Sequence, residues 1–249
     1  MHKLSSFYEK MNRRAFISSS LSSLFLISYP QIALAKKRLP VSDFNKTAYI
    51  TDPVFLQHHI AKGHPETPER MLFIQNEIQQ SSLLEKLIPF QLKQVGDEDL
   101  TLVHTQQHID AIKQYTPVAD QVARAGVGAC LAAIDGVMQG KLDNAFCATR
   151  PPGHHALNTG REEGFCYYNN IAIAARYAQK KYQIKRVLII DWDYHHGNAT
   201  ELTFYADPEI LFFSTHDQYA YPGTGDPART GTGNGLGFNI NVHLPCNSN

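Results

Sequence analysis

Short continuous apolar runs alternate along the chain with longer stretches whose apolar residues recur at helical spacing, and this alternation predicts a parallel α/β fold. Residues 47–51, TAYIT, read as a first short strand. A loop follows that carries His58, His59, His64, Glu66 and Arg70, and a helix is expected from Pro68 or Glu69 to Gln80. Residues 82–87 read as a short turn, 91–95 as a strand, and 97–104 and 106–115 as helical pieces. Residues 120–140 read as a longer Ala-rich helix and 144–149 as a strand. The rigid segment 150–155, RPPGHH, closes that strand. A helix over 171–180, strands over 186–191 and 210–214, a Gly-rich loop over 222–237 and a last strand over 238–242 complete the order. Strand, loop, helix, strand is the order of a parallel α/β unit. No internal repeat and no linker divides it.

The stretch 187–200, VLIIDWDYHHGNAT, concentrates the chemistry. Val187, Leu188, Ile189 and Ile190 have the composition of a strand buried on both faces. Carboxylates and imidazoles follow at once. If the chain stays extended past Ile190, Asp191, Asp193 and His195 project to one side and Trp192 and Tyr194 to the other. Open α/β sheets place their sites at the carboxyl ends of strands, where these residues fall. Asp193 and His195 suit zinc or a similar divalent ion, and a catalytic site of that kind needs a third protein ligand and an open position for water. His154 and His155, held by two prolines, suit a general base and a general acid beside it.

Charge and composition narrow the class. The 249 residues carry no formal net charge and are 43% hydrophobic, which fits one sizeable globular domain and gives no electrostatic case for nucleic acid. Residues 1–35 differ from the rest. Lys3, Lys10, Arg13 and Arg14 precede a Ser-rich apolar run, and Ala33-Leu34-Ala35 offers small residues for a signal peptidase. This resembles a twin-arginine export signal, so residues 1–35 are expected to be a signal peptide and 36–249 the mature domain, periplasmic or secreted, with no stable membrane anchor after cleavage. The run is short and serine-rich for a bilayer span. Cys130, Cys147, Cys166 and Cys246 have neither zinc-knuckle spacing nor scaffold density, and read as buried thiols that an oxidising compartment would permit to bridge.

Five stretches in order carry a family resemblance: His64-Pro65-Glu66 with Pro68 and Arg70, Arg150 to His155, Gly164-Phe165-Cys166, Asp191 to Asn198, and Tyr221 to Gly225. Together they resemble the histone deacetylase and acetylpolyamine amidohydrolase family over residues 48–245. Asn198 after Gly197 resembles its class II branch. The resemblance implies a single-domain three-layer α/β sandwich around a mostly parallel sheet, of the arginase and deacetylase kind. It implies zinc held by Asp193 and His195, and His154 and His155 as the proton-handling pair. Asp191 is then expected on His154 and Asn198 opposite His155. Phe165 and Tyr221 match the walls of the acyl-lysine tunnel, and Arg70 the arginine of an internal acetate exit. A structural potassium ion is implied at Asp191, Asp193, His195 and Ser214.

The implied activity is zinc-dependent hydrolysis of N-acyl amides of lysine or of small amines such as acetylpolyamines. Two catalytic alternatives stand beside it. A Cys166–His155 nucleophile would leave Asp193 and His195 without a role. A binuclear manganese site of the arginase kind would need an acidic residue where Gly197 stands. The family's third zinc ligand and its transition-state tyrosine have no counterpart in these 249 residues, and Asp120 alone stands near its acidic substrate-gripping loop. The sequence therefore reads as carboxy-terminally truncated, a fragment, or an inactive acetyl-amine-binding relative. Residues 36–249 alone are expected to bind zinc weakly without turnover.

Overall fold

A computed structural model describes residues 46–245. The expected signal segment and Cys246 lie outside the described residues. β1 (Thr47–Ile50) runs between β2 (Leu87–Pro89) and β3 (Asn144–Cys147), and all three are parallel. β5 (Ile210–Asp217) runs between β4 (Val187–Asp191) and β6 (Asn239–Leu244), again parallel throughout. The expected parallel α/β architecture is present. The strands form two three-stranded sheets, β2-β1-β3 and β4-β5-β6, where one sheet was expected.

Parallel neighbours need crossovers, and helices supply most of them. α1 (Glu69–Gln80), α2 (Asp97–Leu100), α3 (Gln106–Tyr115) and α4 (Pro117–Met138) precede β3, α5 (Asn170–Tyr182) joins β3 to β4, and α6 (Asn198–Phe204) joins β4 to β5. Local chemistry sets their ends. Thr105 accepts from the His108 amide to cap α3, and Asn169 accepts from Ala172 to cap α5. α4 begins at Pro117, earlier than the alanine pattern suggests, because proline fits the first helical position.

The strand expected over 91–95 does not form. After β2 the chain leaves the sheet and lies against α4, where the Lys93 amide donates to the Gly128 carbonyl at 3.2 Å. A Cβ at Gly128 would strike the Lys93 carbonyl, so glycine makes this approach possible.

Two cores matter for the site. Ala48 and Ile50 of β1 pack on Ala129 and Ala132 of α4. Ile189, Ile210 and Phe212 pack on Ala172 and Ala175 of α5 and Phe204 of α6. On the other face of β4, Leu188 is 55% and Ile190 51% exposed, so the buried run expected there is covered on one side only.

Candidate active site

β4 stops at Asp191, and beyond it the chain curls instead of staying extended. The Asp191 carboxylate accepts from the Asp193 amide at 3.1 Å, and the Asp193 carboxylate accepts from the His195 amide at 2.7 Å. Such local acceptors compete with the strand ladder. Even so, Asp193 and His195 stay together. His195 Nδ1 lies 3.1 Å from Asp193 Oδ1, and both side chains are about half open to solvent. Trp192 and Tyr194 point outward.

The loop after β3 brings the histidine pair to the same place. The His154 and His155 ring centroids are 4.0 Å apart, and His154 Nε2 is 3.7 Å from Asp193 Oδ1. The amino end of α6 grips this loop, since the Ala199 amide donates to the His154 carbonyl at 3.1 Å.

The two imidazoles face different partners. His154 Nδ1 meets Asp191 Oδ2 at 2.8 Å, and His155 Nδ1 meets Asn198 Oδ1 at 2.7 Å. Burial works against a charge on His154, but the hydrogen bond and negative charge of Asp191, with Asp193 behind it, raise its pKa above the ordinary value. Burial and the neighbouring His154 push His155 down to about 4. Burial opposes ionisation of Asp191, yet the His154 bond holds its pKa low. The Asp191 carboxylate on one side, and burial with the neighbouring His154 on the other, thus set the two adjacent histidines apart.

A cavity of about 510 Å³ lies here, lined by Thr149, Pro151, His154, Asp191, Trp192 and Asp193 among others. The aromatic wall is on the far side of the histidines. Tyr221 packs edge-on to His155 at 4.9 Å, and Phe165 packs edge-on to His64 at 4.5 Å. Phe165 has φ +68, a left-handed backbone that is uncommon outside glycine, directly after Gly164.

These residues fit a metal ion in part. Asp193 and His195 offer an oxygen and a nitrogen close enough for one ion, and their donor chemistry fits zinc. Among the described residues, no group of three acidic, imidazole or thiol side chains converges on a common point. The fit covers two ligands.

The alternatives meet geometric objections. Cys166 is fully buried, its sulfur accepts from the His155 amide at 3.5 Å, and burial raises its pKa far above the thiol range, which disfavours a nucleophilic thiolate. A Cβ at position 197 would meet the Asp191 carboxylate at 2.2 Å, so an acid there would require Asp191 to move off His154.

The family model for the histone deacetylase domain matches residues 64–249. The chain belongs to the histone deacetylase family. "Histone deacetylase 10, chloroplastic" of Oryza sativa is 36% identical over 231 residues, covering 80% of this chain and 52% of that protein. The "Histone deacetylase-like amidohydrolase" of Pseudomonas aeruginosa is 34% identical over 212 residues, covering 78% and 56%. Among solved structures, the HDA15 HD domain superposes with a TM-score of 0.76 at 31% identity, covering 82% of this chain and 63% of that one. The chain spans somewhat over half the length of these curated relatives.

Within this histone deacetylase domain, the other expected site residues have partners of their own. The Arg70 guanidinium is mostly exposed, with Glu66 at 3.6 Å. Glu66 itself is buried and held by Arg150, through Nε at 2.8 Å and a second nitrogen at 2.6 Å, while the same guanidinium donates to the Phe55 and His58 carbonyls. Asp120 is buried on α4, bonded to Tyr168 and Arg124. Ser214 is opposite Asp191 in the β4–β5 register, its hydroxyl 2.9 Å from His216 Nδ1.

Sequence reasoning missed α6 and with it Glu201. This buried carboxylate accepts from Arg229 at 2.7 Å, Asn239 at 2.8 Å and Asn241 at 2.7 Å. His196 at 3.4 Å adds to these contacts, and they hold the Glu201 pKa down at about 2 against the effect of burial. Glu201 ties the Gly-rich loop and β6 to α6. Only the single acid within the motif helix signalled it in sequence.

Proposed function

We propose that this chain carries the catalytic half-site of a zinc-dependent hydrolase of N-acyl amides, acting on acyl-lysine or on small acetylated amines such as acetylpolyamines. The observation that carries the reading is the unlike pair His154–Asp191 and His155–Asn198 set against Asp193 and His195. The deacetylase and amidohydrolase names of the relatives support the reaction class.

Asp193 and His195 would hold the zinc. Zinc, when bound, supplies Lewis acidity toward the acyl carbonyl and the attacking water. His155, neutral at physiological pH and tied through Nδ1 to Asn198, keeps Nε2 free to take the water proton. His154, with its proton shared with Asp191, places positive charge beside the reacting carbonyl. As the amide C–N bond breaks, the proton held on His155 passes to the leaving nitrogen, and acetate and the free amine depart. Tyr221 and Phe165 exclude water from the acyl chain.

The test is turnover by zinc-loaded full-length protein on acetyl-lysine peptides and acetylpolyamines. His155→Ala and His154→Ala are each expected to lower kcat by roughly two orders of magnitude, with zinc content unchanged. Zinc loss in either variant would make that histidine a ligand and end this assignment. The two-donor set favours one second reading, a relative that binds acyl amines without cleaving them; saturable binding with no acetate release would select it. Export by the twin-arginine route is part of the proposal, resting on Arg13 and Arg14. Changing both to Lys should retain the protein inside the cell, and undiminished periplasmic protein would refute it.

A further inference from the structure

Tyr221, edge-on to His155, also lies 6.4 Å from the His195 ring. The chain that follows it is anchored to groups outside the cleft. Three residues on, the Thr224 hydroxyl is 2.8 Å from His196 Nδ1. His196 is buried directly after His195, and its Nε2 faces the Glu201 carboxylate of α6 at 3.4 Å. A carboxylate on that side favours a proton on Nε2 and leaves Nδ1 to accept from the Thr224 hydroxyl. The Gly225 carbonyl then accepts from His216 Nε2 of β5 at 3.1 Å. Gly225 has φ +91, and a Cβ there would strike both histidine rings, so glycine lets the loop close onto them. Farther along, Arg229 reaches Glu201 at 2.7 Å, and the Asp226 carbonyl accepts from Asn241 at 3.4 Å. Beside this seat lies a cavity of about 590 Å³ lined by Thr224, Asn198, Glu201 and Arg229 among others.

We propose that Thr224 is a positioning residue: its hydroxyl, bonded to His196, sets Tyr221 against His155 and so fixes the width of the acyl passage, a role that rests on the catalytic reading of this cleft. The bond links the tunnel wall to the buried layer of His196 and Glu201, which takes no part in the proposed proton transfers. Thr224 is itself exposed, so replacing it leaves the core intact. A valine has the same shape without the donor, and it leaves the buried Nδ1 of His196 unsatisfied. The loop relieves that loss by shifting into the adjoining cavity, and Tyr221 moves with it. An acyl chain meets the tunnel wall alike in the ground and transition states, so a displaced wall shows in KM and spares kcat.

The experiment compares Thr224→Val with Thr224→Ser by two readings. NMR of the isotope-labelled chain follows the Overhauser contacts between the Tyr221 and His155 rings. Kinetics of the zinc-loaded full-length protein on an acetyl-lysine peptide give KM and kcat separately. Thr224→Val should weaken the ring contacts and raise KM about fivefold with kcat within about twofold, and Thr224→Ser should restore both. Unchanged ring contacts in Thr224→Val would overturn the proposal. So would an equal loss in Thr224→Ser, or a kcat that falls while KM holds. An unsubstituted protein without turnover would count against the catalytic reading, and the ring contacts would then decide the Thr224 assignment by themselves.

Discussion

His155 Nδ1 sits 2.7 Å from the Asn198 amide oxygen, while its neighbour His154 makes the same contact, at 2.8 Å, with a carboxylate. This difference in partner charge accompanies a His154 pKa raised against its burial and a His155 pKa lowered by burial and the neighbouring His154. Asn198→Asp should remove it. A carboxylate at 2.7 Å favours the charged imidazole, so the His155 pKa should rise from about 4 by at least about one unit. Histidine NMR titration checks this, and the acid limb of a pH–rate profile should move to higher pH with it. An unmoved titration would mean that burial alone governs His155.

Arg150 and Glu66 form a pair that is 1% and 3% exposed, joined by two hydrogen bonds. Replacing Arg150 with Met should leave the buried Glu66 charge facing only the exposed Arg70 at 3.6 Å, at a cost of about 3 kcal/mol in urea unfolding. The double variant Arg150→Met with Glu66→Gln should recover part of that loss. Equal stability of the single and double variants would show that the pair is not coupled.

A third expectation concerns acid stability. Burial and His108 push the His104 pKa down to about 4 from 6.5, and its ring nitrogens are occupied by Asn158 and the Asn169 amide. A lowered histidine pKa means that the unfolded chain binds the proton first. Stability is therefore full above pH 6.5, falls as pH drops from 6.5 to 4, and levels below that. The His104 share is about 3 kcal/mol. Urea midpoints at pH 7 and pH 4.5 should differ less in His104→Gln than in the unsubstituted protein, and an equal difference would refute the assignment.

Much of this architecture was legible in the sequence because its signals are local. The apolar run at 187–190, the threonine cap before Gln106 and the prolines after β3 each act within a few residues, and those elements lie where periodicity places them. The strand read at 91–95 failed because the decisive contact is with Gly128, far along the chain. The helix at Asn198–Phe204 was missed because seven residues are too few for a period, and its amino end is set by Gly197 and by the His154 carbonyl. Glu66 and Arg150 are separated by 84 residues, and no pattern in a single sequence couples them. The histidines and acids of the cleft were legible by type and order; their pairing into one acidic and one neutral couple was expected only through family resemblance.

In the proposed site Asp193 and His195 hold the metal while His154 and His155 handle protons. Zinc titration of this chain, read by competition with a chromophoric chelator, tests it most directly. Two ligands predict weak binding, further weakened about tenfold or more by Asp193→Ala or by His195→Ala and left unchanged by His155→Ala. Zinc binding that survives both ligand substitutions, or that is lost in His155→Ala, would contradict the account.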